Sequence, residues 1–255
     1  MEIDPELVER AAGWIAEARC VVVFTGAGVS AESGIPTFRD ALTGLWANYD
    51  PQALATPQGF LANPKLVWEW YAHRRKLIAS KQPNPGHSAL AELERLVSEL
   101  VVVTQNVDGL HRKAGSRKVI ELHGNITRVK CWRGDTVIED WDDEGYEGEV
   151  PPRCERCGNL LRPDVVWFGE QLPQEALAES FRLAERCDLM LVAGTSGQVQ
   201  PAASLPAAAR EAGARVVEVN LEPSEITPAA HLLLKGRSGE VLPLVLERLK
   251  SQQNK

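Results

Sequence analysis

Unbroken runs of β-branched and aliphatic residues constrain this chain more than any other feature in it. Cys20–Thr25 reads CVVVFT, and runs of the same kind return at Leu100–Thr104, Val119–Leu122, Asp188–Ala193 and Arg215–Val219. A strand with one wet face alternates apolar and polar residues, whereas a run without alternation needs cover on both faces. Pro5–Arg19, Ser88–Val97, Gln174–Arg186 and Pro201–Ala212 flank these runs and read as helices. The first opens on Asp4-Pro5, a capping residue followed by a proline that fits the first turn, and repeats Leu7, Ala11, Trp14, Ile15 and Ala18 at helical spacing. Buried strands alternating with helices predict an α/β fold with a parallel sheet covered on both faces. Two stretches break the alternation. Residues 34–85 hold a loop and a Trp-rich, basic helical stretch near Pro64–Ser80, and residues 126–161 are acidic and hold three of the five cysteines. They predict a second, smaller unit inserted into the first.

Charge and composition remove several function classes. Lysine plus arginine number 28 against 35 aspartates and glutamates, a net charge of −7 that argues against direct nucleic-acid binding across the surface. No apolar run is long enough to span a bilayer, and the acidic start Met1–Glu6 lacks the pattern of a signal peptide, so a cytoplasmic, membrane-free protein is expected. Cys20 and Cys187 border strand runs and read as small buried hydrophobes.

The first strand runs directly into Gly26-Ala27-Gly28-Val29-Ser30. Glycines there let backbone amides approach a pyrophosphate. The loop departs from the G-x-G-x-x-G pattern, since Ala31 replaces the third glycine and no acidic residue closes a second strand about 20 positions later. Alone, such a turn is structural more often than functional. Gly194-Thr195-Ser196-Gly197 and Asn220-Leu221-Glu222 add two more polar turns at strand ends. Three such ends point to a bound nucleotide.

The fifteen residues from Gly26 to Asp40, GAGVSAESGIPTFRD, resemble the signature of the sirtuins, the NAD-dependent protein-lysine deacylases. Thr104–His111 (TQNVDGLH), Leu122–Gly124 (LHG), Val166–Glu170 (VWFGE) and Gly194–Ser196 (GTS) agree with it in order. The resemblance implies a Rossmann-like NAD-binding domain over 1–33, 86–125 and 162–255. It implies a small domain over 34–85 and 126–161, part helical and part zinc-ribbon-like. It further implies NAD as cofactor and acyl-lysine proteins or peptides as partners. On that basis Gly26, Ala27, Gly28, Phe38 and Arg39 wrap the diphosphate and nicotinamide side of NAD. Gln105, Asn106, Val107 and Asp108 form the nicotinamide pocket, Gly194, Thr195 and Ser196 hold phosphate and ribose, Asn220 and Glu222 the adenosine ribose, and Ser238 meets the adenine.

The resemblance makes His123 the general base. After the acyl oxygen attacks the nicotinamide ribose, a ribose hydroxyl needs a proton acceptor, and a neutral imidazole suits that task. His73, His87, His111 and His231 read as structural, with His111 bordering the nicotinamide motif. Val166, Trp167, Phe168 and Gly169 are implied to form an open strand edge that pairs with the peptide backbone. Ala55, Tyr71 and Arg74 reproduce the spacing of the sirtuin subclass that removes succinyl, malonyl and glutaryl groups. Tyr71 and Arg74 share a helix face and together suit a carboxylate. The competing reading makes Arg74-Arg75-Lys76 a solvated basic face.

The family usually holds zinc with two C-x-x-C pairs. Here Cys131, Cys154 and Cys157 remain while Gly134 stands where the fourth cysteine belongs. Asp135 or water could complete the set, or the site could be empty. A plain deacetylase, an ADP-ribosyl transferase and a non-catalytic NAD or ADP-ribose sensor remain open beside the deacylase reading.

Overall fold

The computed structural model describes residues 3–36, 50–134 and 136–253. Its main sheet has six strands: β1 (Cys20–Thr25), β2 (Glu99–Thr104), β3 (Val119–Glu121), β7 (Leu189–Ala193), β8 (Arg215–Asn220) and β9 (Leu232–Lys235). They lie in the order β3-β2-β1-β7-β8-β9, and every pairing is parallel. All six residues of β1 are buried. The pleat sends Val21 and Val23 into one apolar cluster and Cys20, Val22 and Phe24 into the other. The first cluster is closed by α1 (Pro5–Glu17), α6 (Pro85–Leu96) and α10 (Ser238–Gln253), the second by α8 (Gln174–Arg186) and α9 (Leu205–Glu211). Each fully buried valine or leucine in these layers contributes about 1.5–3 kcal/mol.

The expected strands and helices are present, with three differences. Pro201–Ala212 is split into a short 3₁₀ turn (Ala202–Ser204) and α9, because Pro206 has no N–H to give and fits only a first helical turn. β9 has four residues, and α10 contains Pro243, so neither gives a clear periodic signal in the sequence. The polar residues Ser251–Lys255, whose composition reads as a frayed end, are helical as far as Gln253.

The remaining helices, α2 (Gly28–Ala31), α3 (Pro51–Leu54), α4 (Pro57–Ala62), α5 (Pro64–Ala79) and α7 (Leu110–Lys113), surround the carboxyl ends of the main strands and the second sheet. That sheet is antiparallel, with β4 (Gly124–Cys131) between β5 (Val137–Ile138) and β6 (Leu161–Val165). An ion pair of the buried Arg75 joins helix α5 to the half-buried Asp143 in the loop after β5. Arg75 sits 5.0 Å over the Trp68 ring and donates both Nε and Nη2 to Asp143 at 2.7 Å.

Candidate active site

A cavity of about 1510 Å³ opens where β1, β2, β7 and β8 end. Gly26, Ala27 and Gly28 follow β1, Gln105 to Asp108 follow β2, Gly194 to Ser196 follow β7, and Asn220 and Glu222 lie at the end of β8; all line it. Ala55, Tyr71, Arg74 and Val166 to Gly169 form the facing wall. Ser238 departs from expectation. It begins α10, buried against Gly86, and is not part of the cavity wall. Phe38 and Arg39 lie outside the described residues.

The glycines have a reason the sequence did not supply. A Cβ on Gly26 would stand 2.8 Å from the Gly194 carbonyl oxygen, and one on Gly28 would stand 2.8 Å from Gly194 Cα. Gly194 itself has φ +60°, and its Cβ would meet Val29 N at 2.3 Å. The loops after β1 and β7 therefore press backbone to backbone, and Gly28 N–H donates to Gly194 O at 2.8 Å. Gly124, with φ +80°, is equally fixed, because a Cβ there would fall 2.1 Å from Asp164 O. That close turn delivers His123 to the cavity.

His123 Nδ1 lies 2.9 Å from the carbonyl oxygen of Gln105. A carbonyl only accepts, so Nδ1 carries the proton and Nε2 keeps its lone pair. Burial holds the ring below the ordinary histidine range, partly offset by that hydrogen bond, so it is neutral at physiological pH. Asn106 Nδ2 donates to Gly26 O at 3.0 Å and to Ser30 Oγ at 3.1 Å. Asp108 accepts from Leu110 N–H at 2.9 Å and from Ser30 O–H at 2.8 Å. Burial raises its carboxyl, and those two donors oppose the rise.

Behind this pocket lie two histidines that the sequence leaves as structural. His87 Nδ1 accepts from Asn84 N–H in the capping box that starts α6, and Nε2 lies 3.4 Å from Ser30 Oγ. His111 Nε2 lies 2.9 Å from Thr25 Oγ1, which donates to Thr104 Oγ1. The two rings are 4.9 Å apart. Burial pushes His87 down to about 4; burial and the neighbouring His87 push His111 down to about 3. Local sequence offered one clue to His87, the N-P-G-H cap itself.

The facing wall is aromatic. Trp167 Nε1–H donates to Tyr71 Oη at 2.9 Å, leaving the phenol its own proton to donate. Burial raises Tyr71 to about 12, which keeps it a neutral donor. Arg74 lies 4.9 Å over the Trp70 ring, and burial lowers its basicity, with Tyr71 and Asp108 acting in the opposite sense. Arg74, Arg75 and Lys76 thus have separate fates, on the cavity wall, buried and paired with Asp143, and exposed beside Glu144. They do not form one solvated face. Val166–Gly169 continues from the end of β6 into a turn at Phe168–Gly169, and the amides of Val166, Trp167 and Phe168 are taken by His123 O, the Glu170 carboxylate and Ala55 O.

Residues 26–201 match the Sir2 family. The chain belongs to the Sir2 family. It is 56% identical over 237 residues to NAD-dependent protein deacylase 2 of Pyrobaculum aerophilum, covering 92% of this chain and 93% of that one. It is 52% identical over 239 residues to NAD-dependent protein deacylase 1 of Pseudomonas aeruginosa, covering 92% and 96%. Among solved structures, a Sir2 homolog–NAD complex superposes with a TM-score of 0.89 at 46% identity, covering 96% of this chain and 94% of that chain.

This Sir2-family chain also gathers Cys131, Cys154 and Cys157, whose Sγ atoms all lie within 4.8 Å of one another. The N–H groups of Cys157 and Gly158 both donate to Cys154 O, a tight knuckle that turns two thiols to one point. Three close thiols fit a zinc ion as three of its four ligands. A Cβ at Gly134 would stand 3.4 Å from Cys131 Sγ, so the position at which the family has its fourth cysteine adjoins the cluster. Asp135 lies outside the described residues.

Proposed function

We propose that this chain is an NAD-dependent protein deacylase of the acidic-acyl subclass, removing succinyl and malonyl groups as well as acetyl groups from lysine. The observation that carries the reading is that Tyr71 and Arg74 share one cavity with His123, Asn106 and Asp108.

The residues present fit NAD. Buried Asn106 and Asp108 offer the donor and acceptor that an amide needs, and the loops around Gly26–Gly28 and Gly194–Ser196 suit its phosphates and ribose. When bound, NAD supplies the ribose carbon that takes up the acyl group as nicotinamide leaves. His123 Nε2 accepts a proton from a hydroxyl in the cavity, while Gln105 O holds the ring in the required tautomer. Tyr71 donates its O–H and Arg74 its guanidinium to an acyl carboxylate, and the small Ala55 side chain leaves width for the acyl chain. Cys131, Cys154 and Cys157 would hold zinc, which would contribute stability to the small sheet. The free thiols, Cys20 and Cys187 among them, suit a reducing, cytoplasmic setting.

The test is kcat/KM for acetyl- and succinyl-lysine peptides in the parent and in Arg74→Met. A hydrogen-bonded charge contact is worth about 1.5–3 kcal/mol, so desuccinylation should fall by roughly one to two orders of magnitude while deacetylation changes little. Equal losses on both peptides would replace this reading with a plain deacetylase.

A further inference from the structure

Arg162 stands on β6, outside the cavity lining, and is 4% exposed. Its Nη1 and Nη2 grip the two Glu170 oxygens, the second at 2.9 Å. Nη2 also donates to Val165 O at 2.8 Å. Glu170 Oε2 in turn accepts the Trp167 amide at 2.8 Å. The guanidinium centre lies 3.5 Å from the Trp167 ring centroid and 5.6 Å from that of Trp132. The same Trp167 indole donates its N–H to Tyr71 Oη. One guanidinium therefore holds both ends of the 165–170 turn and one face of the ring that fixes Tyr71.

Packing alone does not call for this arrangement. Burying a guanidinium carries a desolvation cost, and Nε is left without a partner. A leucine or methionine would fill the space against Trp167 at lower cost. Neither could tie a carboxylate and a carbonyl together in one plane, which the planar fork of arginine does. The carboxylate is held ionised in return. Burial alone would raise Glu170, and the bonds from Arg162 and the Trp167 amide outweigh it, leaving the group below the ordinary range.

We propose that Arg162 is a positioning residue for the acyl-lysine substrate, acting through Glu170 and Trp167 to fix the Val166–Gly169 turn and aim the Tyr71 hydroxyl. It therefore governs affinity for the acyl-peptide and leaves NAD affinity alone. The proposal rests on the reading that this wall receives acyl-lysine.

The experiment compares the full chain with Arg162→Lys and Glu170→Gln. Lysine keeps the charge and loses the fork; glutamine keeps the shape and loses the charge. KM for the acyl-peptide should rise roughly ten- to a hundredfold in both, while KM for NAD stays at the parent value. A purely structural role would lower the active fraction, seen as a fall in kcat with both KM values unchanged, and that result overturns the proposal. Should Arg162→Lys fail to fold, Glu170→Gln decides alone. A second readout needs no turnover: hydrogen exchange of the Trp167 indole N–H, identified by its loss in Trp167→Phe. Exchange should be at least about tenfold faster in the variants, and unchanged exchange also overturns the proposal. A parent inactive on every acyl-peptide would count against the deacylase reading, and the exchange rates would still report whether Arg162 holds this wall.

Discussion

The buried histidine pair makes acid stability a quantitative test of the pocket. His111 Nε2–H donates to Thr25 Oγ1, and its Nδ1 is buried without a partner. A second proton would create an N–H with nothing to receive it, beside the His87 ring. The folded value of about 3 lies below the ordinary 6.5, so the full stability is present above about pH 6.5 and is lost as pH falls toward the folded value. At about pH 5 the unfolded chain has taken up nearly one proton at this site that the folded chain refuses. That costs about 2 kcal/mol relative to about pH 8, and a further ~1.4 kcal/mol per pH unit below that. The perturbation is His111→Gln, which retains an N–H for Thr25 but cannot be protonated. Urea unfolding of both proteins between about pH 8 and pH 5 should show the parent losing about 2 kcal/mol more than the variant. Any loss common to both belongs to groups that remain, among them His87, His123 and His231, which are also depressed. The comparison is between slopes, so a fixed destabilisation of the variant does not affect it. Parallel loss in the two proteins would show that His111 is not held neutral in the fold, and the reasoning from its unpartnered Nδ1 would fail.

His123→Ala should lower kcat/KM for deacylation by about 10²–10⁴-fold while NAD still binds, as followed by tryptophan fluorescence. Activity near the parent value would remove His123 Nε2 from the proton transfer. Gly134→Cys should raise both the zinc content and the melting temperature, because the new side chain starts 3.4 Å from Cys131 Sγ and completes four thiolates. One tightly held, chelator-resistant zinc per parent chain would mean another ligand already fills that position.

The amino-acid sequence by itself determined the parallel sheet, because an unbroken run such as Cys20–Thr25 has one physical solution, cover on both faces. Its motifs also pointed to nearly all the cavity-lining loops, since strand ends and glycine turns are local features. It could not reveal that Gly26 and Gly28 are needed against Gly194, a contact 166 or more positions away. Nor could it show what takes the amides of Val166, Trp167 and Phe168, since that depends on the carbonyls of His123 and Ala55 and on the Glu170 carboxylate. The fates of neighbours in the chain were equally hidden. Arg74, Arg75 and Lys76 form one basic run in the sequence, and the tertiary structure alone sends the first to the cavity and the second to Asp143. His87 with His111, and Arg162 with Trp167, become neighbours only where separate elements pack together. Periodicity reports that a side chain is buried. What it is buried against is set by contacts between distant segments, and for a polar group that partner decides whether it is charged, neutral or held in place.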